Sequence, residues 1–116
     1  MPQQLALTGA TGFIGSTLCR RLAERGWEVR ALCRRRPPPE RPPLPQSGAV
    51  RWLQGDLEDA GALARLVDGT AAVVHAAGAV RGARAADFFR TNAAGTARLA
   101  AAARRARSAP RFLLLS

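Results

Sequence analysis

The chain has 116 residues, 47% of them hydrophobic and 22% charged, which is enough for one globular domain and too little for two. Its formal charge of +10 comes with eighteen arginines and no lysine. These flank apolar helical stripes instead of forming one patch, so solvated helix faces and a coding bias towards G and C explain them better than a nucleic-acid partner does.

In chain order, Gln4 to Thr8 (QLALT) is a short apolar strand that breaks into a glycine-rich turn and then a helix with Ile14, Leu18 and Leu22 on one face. Gly26 ends that helix, and WEVRALC from Trp27 to Cys33 reads as a second strand. The segment from Pro37 to Gly48 holds six of the eight prolines. It is expected to be a stiff surface connector, with a proline-rich recognition tract as the alternative. AVRWLQ from Ala49 is a third strand, and DLEDAGALARLVDG from Asp56 is a short helix. AAVVHA from Ala71 to Ala76 is a fourth strand. A long helix follows from about Ala85 to Arg107, with Phe88 or Phe89, Asn92, Thr96, Leu99 and Ala103 along one stripe, and Phe112 to Leu115 forms a fifth strand. Short apolar strands alternating with helices predict an α/β fold, a parallel sheet covered by helices. No stretch of eighteen apolar residues and no basic leader with a cleavage site points to a membrane. Cys19 and Cys33 read as small buried thiols of a cytoplasmic protein.

The turn TGATGFIG spaces Gly9, Gly12 and Gly15 three residues apart, between a strand and a helix. Gly9 would permit the tight turn, Gly12 would let the backbone approach a pyrophosphate, and Gly15 would let the helix pack closely on the sheet. The amides of Phe13 and Ile14 would then face the anion from the helix N-terminus. With Thr11, these residues are the candidate phosphate site of a dinucleotide cofactor. At the end of the second strand, where a carboxylate would hold the ribose hydroxyls of NAD, stands Cys33, followed at once by Arg34, Arg35 and Arg36. A guanidinium at Arg34 pairs well with a 2′-phosphate, so the expected cofactor is NADP, with NAD as the alternative. His75 has no second metal ligand near it in sequence and is expected to be a satisfied core histidine. No metal site is expected.

TGATGFIG, GDLED, VVHAAG, RTNAAGTARL and RFLLLS occur in that order. With them the chain resembles, over essentially its whole length, the N-terminal part of an extended short-chain dehydrogenase/reductase of the NAD-dependent epimerase/dehydratase group. The resemblance implies a Rossmann-type doubly wound parallel sheet, incomplete at about five strands in the order 3-2-1-4-5, within a single NAD(P)-binding domain over residues 1–116. It implies that Asp56 contacts the adenine amino group, with a helix N-cap as its plainer role, and that Leu57 adds backbone and apolar contact. Ala76, Ala77 and Gly78 would line the nicotinamide-side ribose. Asn92 would stand near the catalytic centre or bond neighbouring backbone.

Catalysis in that family uses a tyrosine with a lysine four residues later, and this chain contains neither. The catalytic serine or threonine usually follows the fifth strand, where Ser116 matches only the first of two expected residues. The 116 residues therefore read as the cofactor half of a longer oxidoreductase, epimerase or dehydratase, with no catalytic residue of their own and an unknown small-molecule substrate. A homodimer of the parent is left open. A non-catalytic NADP-binding sensor or scaffold is the second reading, and an arginine-rich nucleic-acid binder a third, weaker one.

Overall fold

The computed structural model describes residues 3–35, 49–76 and 85–115, with side chains in the last segment described from residue 92. The elements are β1 (Gln4–Thr8), α1 (Phe13–Glu24), β2 (Glu28–Cys33), β3 (Val50–Gln54), α2 (Ala60–Val67), β4 (Ala72–His75), α3 (Ala85–Arg105) and β5 (Arg111–Leu114). The expected connector from Pro37 to Gly48 lies outside the described residues. All the strand pairs are parallel, in the order β3-β2-β1-β4-β5, as the sequence predicts.

The central strands show why they read as unbroken apolar runs. Successive side chains of a strand leave opposite faces of the sheet. Leu5 and Leu7 of β1 join Ala72 and Val74 of β4 in one cluster with Cys19. Ala6 and Val73 point the other way and join Leu63, Leu66, Val67, Leu99 and Ala103. Helix α1 covers the first face through Leu18 and Leu22, while α2 and α3 cover the second. With both faces covered, no polar residue is tolerated in the middle of either strand.

Two expectations about helix faces and ends need correction. Ile14 was expected on the apolar stripe of α1, but it is 67% exposed and Phe13 91%. The first turn of α1 emerges beyond the cluster, and the stripe meets the sheet only from Leu18 onward. Helix α2 begins at Ala60 and not at Asp56, because Asp59 is its N-cap, accepting from the Ala62 amide at 3.0 Å. Asp56 instead caps a preceding turn, accepting from the Glu58 amide at 2.8 Å. Leu99 and Ala103 keep the expected buried stripe of α3; the side chains of Phe88 and Phe89 lie outside the described residues.

The helix exits are closed by specific bonds. Gly26 takes φ +94 and donates to the Ala23 carbonyl at 3.0 Å, while Trp27 donates to that of Leu22 at 3.1 Å. This pair of bonds is the Schellman arrangement that a glycine makes accessible. At the end of α2, Arg30 reaches across from β2 and donates to the carbonyls of Arg65 at 2.7 Å, Leu66 at 3.1 Å and Asp68 at 2.7 Å. A cation placed on the last carbonyls of a helix also meets the negative end of its dipole. Gln4 holds the same guanidinium through its Oε1 at 2.7 Å.

Candidate functional site

In an all-parallel sheet every strand ends at the same edge, so the turns after β1, β2, β3 and β4 are neighbours. That topology gathers most of the candidate residues: Gly9, Thr11, Gly12, Phe13, Ile14 and Gly15 after β1, Arg34 after β2, Asp56 and Leu57 after β3, and Ala76 after β4. Asn92 is half-buried on α3, the helix that follows β4. Ala77 and Gly78 lie outside the described residues.

The glycine turn is built as its spacing predicts. Gly9 takes φ +75, a left-handed conformation that a side chain would strain. Its carbonyl accepts from the Gly12 amide at 3.0 Å, and the first helical bond runs from the Ser16 amide to the Gly12 carbonyl at 2.9 Å. A Cβ on Gly15 would be driven into the carbonyl group of Gly9, so the close approach of helix to turn depends on that hydrogen. A Cβ on Gly12 would come to 3.3 Å from the Gly9 carbonyl oxygen, a tight fit that a small shift relieves.

The N-terminus of α1 remains open. Gly12 is the N-cap, no side chain caps the helix, and its first turn carries no acidic residue. The amides of Phe13, Ile14 and Gly15 precede the first residue that can find an acceptor one turn back, so they are directed out of the helix end together with the positive end of its dipole. Such an arrangement can hold the diphosphate of a dinucleotide.

The other strand ends differ in character. Cys33 is 5% exposed, with its Sγ 3.7 Å from the Leu53 carbonyl, so it offers nothing to a ribose, and burial raises its thiol pKa. Cys19 is likewise buried and raised for the same reason, and neither forms a disulfide. Arg34, next after Cys33, is exposed. Asp56 is also exposed. Leu57 turns its side chain towards α3, where a Cβ on Gly95 would come to 2.8 Å from its Cδ1, so its apolar contact is with protein.

His75 is buried and doubly bonded, as expected for a core histidine. Its Nδ1 lies 2.6 Å from Thr8 Oγ1 and its Nε2 lies 3.0 Å from Thr96 Oγ1. Thr8 Oγ1 also accepts from the Ala76 amide at 3.1 Å. Thr8 did not emerge from the sequence as a site residue, although one signal was present: it and His75 are the polar residues that end β1 and β4 after an apolar run, and they pair in register. Among the described residues no cluster of histidine, cysteine or carboxylate could hold a metal, and no helix is long and apolar enough to cross a membrane. A concavity of about 540 Å³ between α2 and α3 is lined by Leu63, Ala102, Arg98 and Arg105 among others; it lies beside the C-terminal half of α3, away from the strand ends.

Comparison with known proteins gives a consistent picture. The sequence pattern of the NAD dependent epimerase/dehydratase family matches residues 5–116. Ceramide reductase of Caulobacter vibrioides is 43% identical over 112 residues, covering 97% of this chain and 34% of that protein. A 3 beta-hydroxysteroid dehydrogenase/Delta 5-->4-isomerase of Mycobacterium tuberculosis is 35% identical over 113 residues, covering 89% of this chain and 29% of its own length. Among solved structures, uronate dehydrogenase of Agrobacterium tumefaciens complexed with NAD superposes with a TM-score of 0.79 at 28% identity, over 100% of this chain and 41% of that one. MoeE5 in complex with UDP-glucose and NAD gives 0.70 at 31% identity, over 97% and 35%. The chain thus spans about a third of the length of these two curated relatives, 34% and 29%.

Proposed function

We propose, for a chain that belongs to the NAD dependent epimerase/dehydratase family, that it forms the dinucleotide-binding part of a longer oxidoreductase, epimerase or dehydratase acting at a hydroxyl or carbonyl carbon. The observation that carries this is the open N-terminus of α1, joined to β1 by a turn in which Gly15 packs against Gly9 too closely for any side chain. The amides of Phe13, Ile14 and Gly15 would hold the diphosphate, with Thr11 and Gly12 beside it. Asp56 would accept from the adenine amino group, its neighbour Leu57 contributing backbone there. Ala76, Ala77 and Gly78 would line the nicotinamide-side ribose, and Asn92 on α3 would stand near the catalytic centre. When bound, the nicotinamide supplies the hydride acceptor or donor.

Catalysis is assigned to the rest of the longer protein, since these 116 residues contain no tyrosine and no lysine. The catalytic half of the reading is tested by the coding sequence beyond Ser116, where a Tyr-x-x-x-Lys motif is expected and its absence would leave only cofactor binding. NADP is proposed over NAD because the end of β2 offers a buried thiol at Cys33 and an exposed guanidinium at Arg34, chemistry suited to a 2′-phosphate and not to free ribose hydroxyls. Unpaired Cys19 and Cys33 suit a reducing compartment, and we assign the protein to the cytoplasm.

Titrations of NADPH and NADH by fluorescence test both cofactor claims. Gly12→Val is expected to weaken both by about tenfold or more while circular dichroism stays unchanged. Equal affinity in that variant would remove the phosphate-turn assignment. Arg34→Asp is expected to weaken NADPH more than NADH, and equal losses would leave NAD as the cofactor.

A further inference from the structure

Three polar side chains from three elements meet under the strand ends. Thr8 closes β1, His75 closes β4, and Thr96 lies on α3, with contacts of 2.6 Å and 3.0 Å along the row. The row does not stop at side chains, because Thr8 Oγ1 accepts the Ala76 amide at 3.1 Å. That amide belongs to the residue at which β4 leaves the sheet, and Ala76 also donates to the Thr8 carbonyl at 3.3 Å. The imidazole therefore fixes the hydroxyl that fixes the backbone at the sheet edge.

We propose that His75 is a positioning residue for dinucleotide binding: by bridging Thr8 and Thr96 it holds the Ala76 backbone and α3 at the spacing the cofactor needs. The proposal rests on the dinucleotide reading above. It makes His75 more than a filler of the core, since a filler would need only the shape of the ring.

A consequence is dependence on pH. Among the described residues, the groups facing the imidazole are Thr8 from β1, Thr96 from α3, and Phe112 and Leu114 from β5, with the Phe112 ring centroid at 6.4 Å. None of these carries charge, so burial keeps the imidazole neutral and lowers its pKa from the ordinary 6.5. Protonation makes both ring nitrogens donors, which the row accommodates only by turning away the one hydroxyl that had donated to the neutral ring. The unfolded chain takes up the proton first, so the stability due to neutral His75 is complete above pH 6.5 and is lost as pH falls through the lower folded value.

The test compares the wild-type chain with Thr96→Ser, Thr96→Val and His75→Phe, reading NADPH and NADH affinity from pH 5 to 8 with circular dichroism as the control for folding, and hydrogen exchange of the Ala76 amide without ligand. The expected result is that wild type and Thr96→Ser agree, both keeping their affinity through pH 6.5 and losing it only as the pH falls through the lower folded value of His75. Thr96→Val should bind roughly tenfold more weakly at pH 7.5, the order of effect of one lost, partly buried hydrogen bond, and should exchange faster at Ala76. His75→Phe should lose the pH dependence; if it does not fold, the two Thr96 variants decide alone. Unchanged affinity and exchange in folded Thr96→Val would overturn the proposal. If wild type binds neither nucleotide the dinucleotide reading falls, and this assignment with it; exchange at Ala76 then shows whether the row still holds the backbone.

Discussion

At Gly15 one hydrogen separates a closed turn from a collision, whereas at Gly12 a methyl group would meet the Gly9 carbonyl oxygen at 3.3 Å. The two glycines should therefore fail in different ways. Gly15→Ala forces backbone apart and is expected to cost about 1–3 kcal/mol of stability, the range for overpacked sites, visible as a shift of the urea midpoint. Gly12→Val should leave that midpoint closer to wild type and lose binding instead. A Gly15→Ala chain as stable as wild type would mean that α1 can slide away from the turn. This difference was half legible in the sequence. The spacing of glycines between a strand and a helix pointed to the turn and to the role of each, because that chemistry is local. The row from Thr8 through His75 to Thr96 was not, because its members stand 67 and 21 residues apart and only the parallel register of β1 and β4 brings them together.

For an element, the ends decide as much as the apolar stripe. Helix α2 spans Ala60–Val67, a length at which an isolated helix is marginal in water, so its caps and its packing carry it. Asp59 holds the start through Ala62, and Arg30 holds the finish through three carbonyls. Replacing Asp59 by Ala is expected to cost about 1 kcal/mol. Arg30→Met should cost more, about 2 kcal/mol, because it strips three charge-assisted bonds at once, the one to Leu66 partly buried. Arg30→Lys should restore part of the loss, since the three carbonyls share the single nitrogen Nη1, whose place an ammonium can take, while the Nη2 bond to Gln4 is lost. Urea unfolding measures all three, and a neutral Arg30→Met would show that water serves those carbonyls equally well. Nothing in the chain's pattern hints at this role: Arg30 reads as one more arginine among eighteen, and its partners lie in other elements. The start of α2 was misread for a related reason. Asp56, Glu58 and Asp59 are all acidic, and only the geometry of the turn decides which carboxylate meets an open amide. Ile14 fits the periodicity of α1 perfectly, yet periodicity is blind to where a helix first meets the sheet.

Across the whole molecule the sheet order came from the resemblance to the family, and the strands agree with it: β1 and β4 are apolar on both faces and lie inside the sheet, while β3, with Arg51 and Gln54 exposed, sits at an edge. The opposite edge is different. In β5 and just beyond it, Leu113 is 52% exposed, Leu114 55% and Leu115 42%, and among the described residues the strand pairs only with β4. An exposed apolar edge strand is a template for another strand. The amides of Arg111 and Leu115 donate to the Ala71 and His75 carbonyls at 3.0 Å, so those of Phe112 and Leu114, which alternate with them along the strand, face outward. For the 116-residue chain by itself, hydrogen exchange should thus be fast at Phe112 and Leu114 and slow at Arg111 and Leu115. Sedimentation should show self-association that Leu114→Lys reduces, because an edge lysine opposes strand addition by charge. A monodisperse wild-type monomer with Phe112 and Leu114 protected from exchange would contradict this picture, since protection without association requires that the edge is already covered.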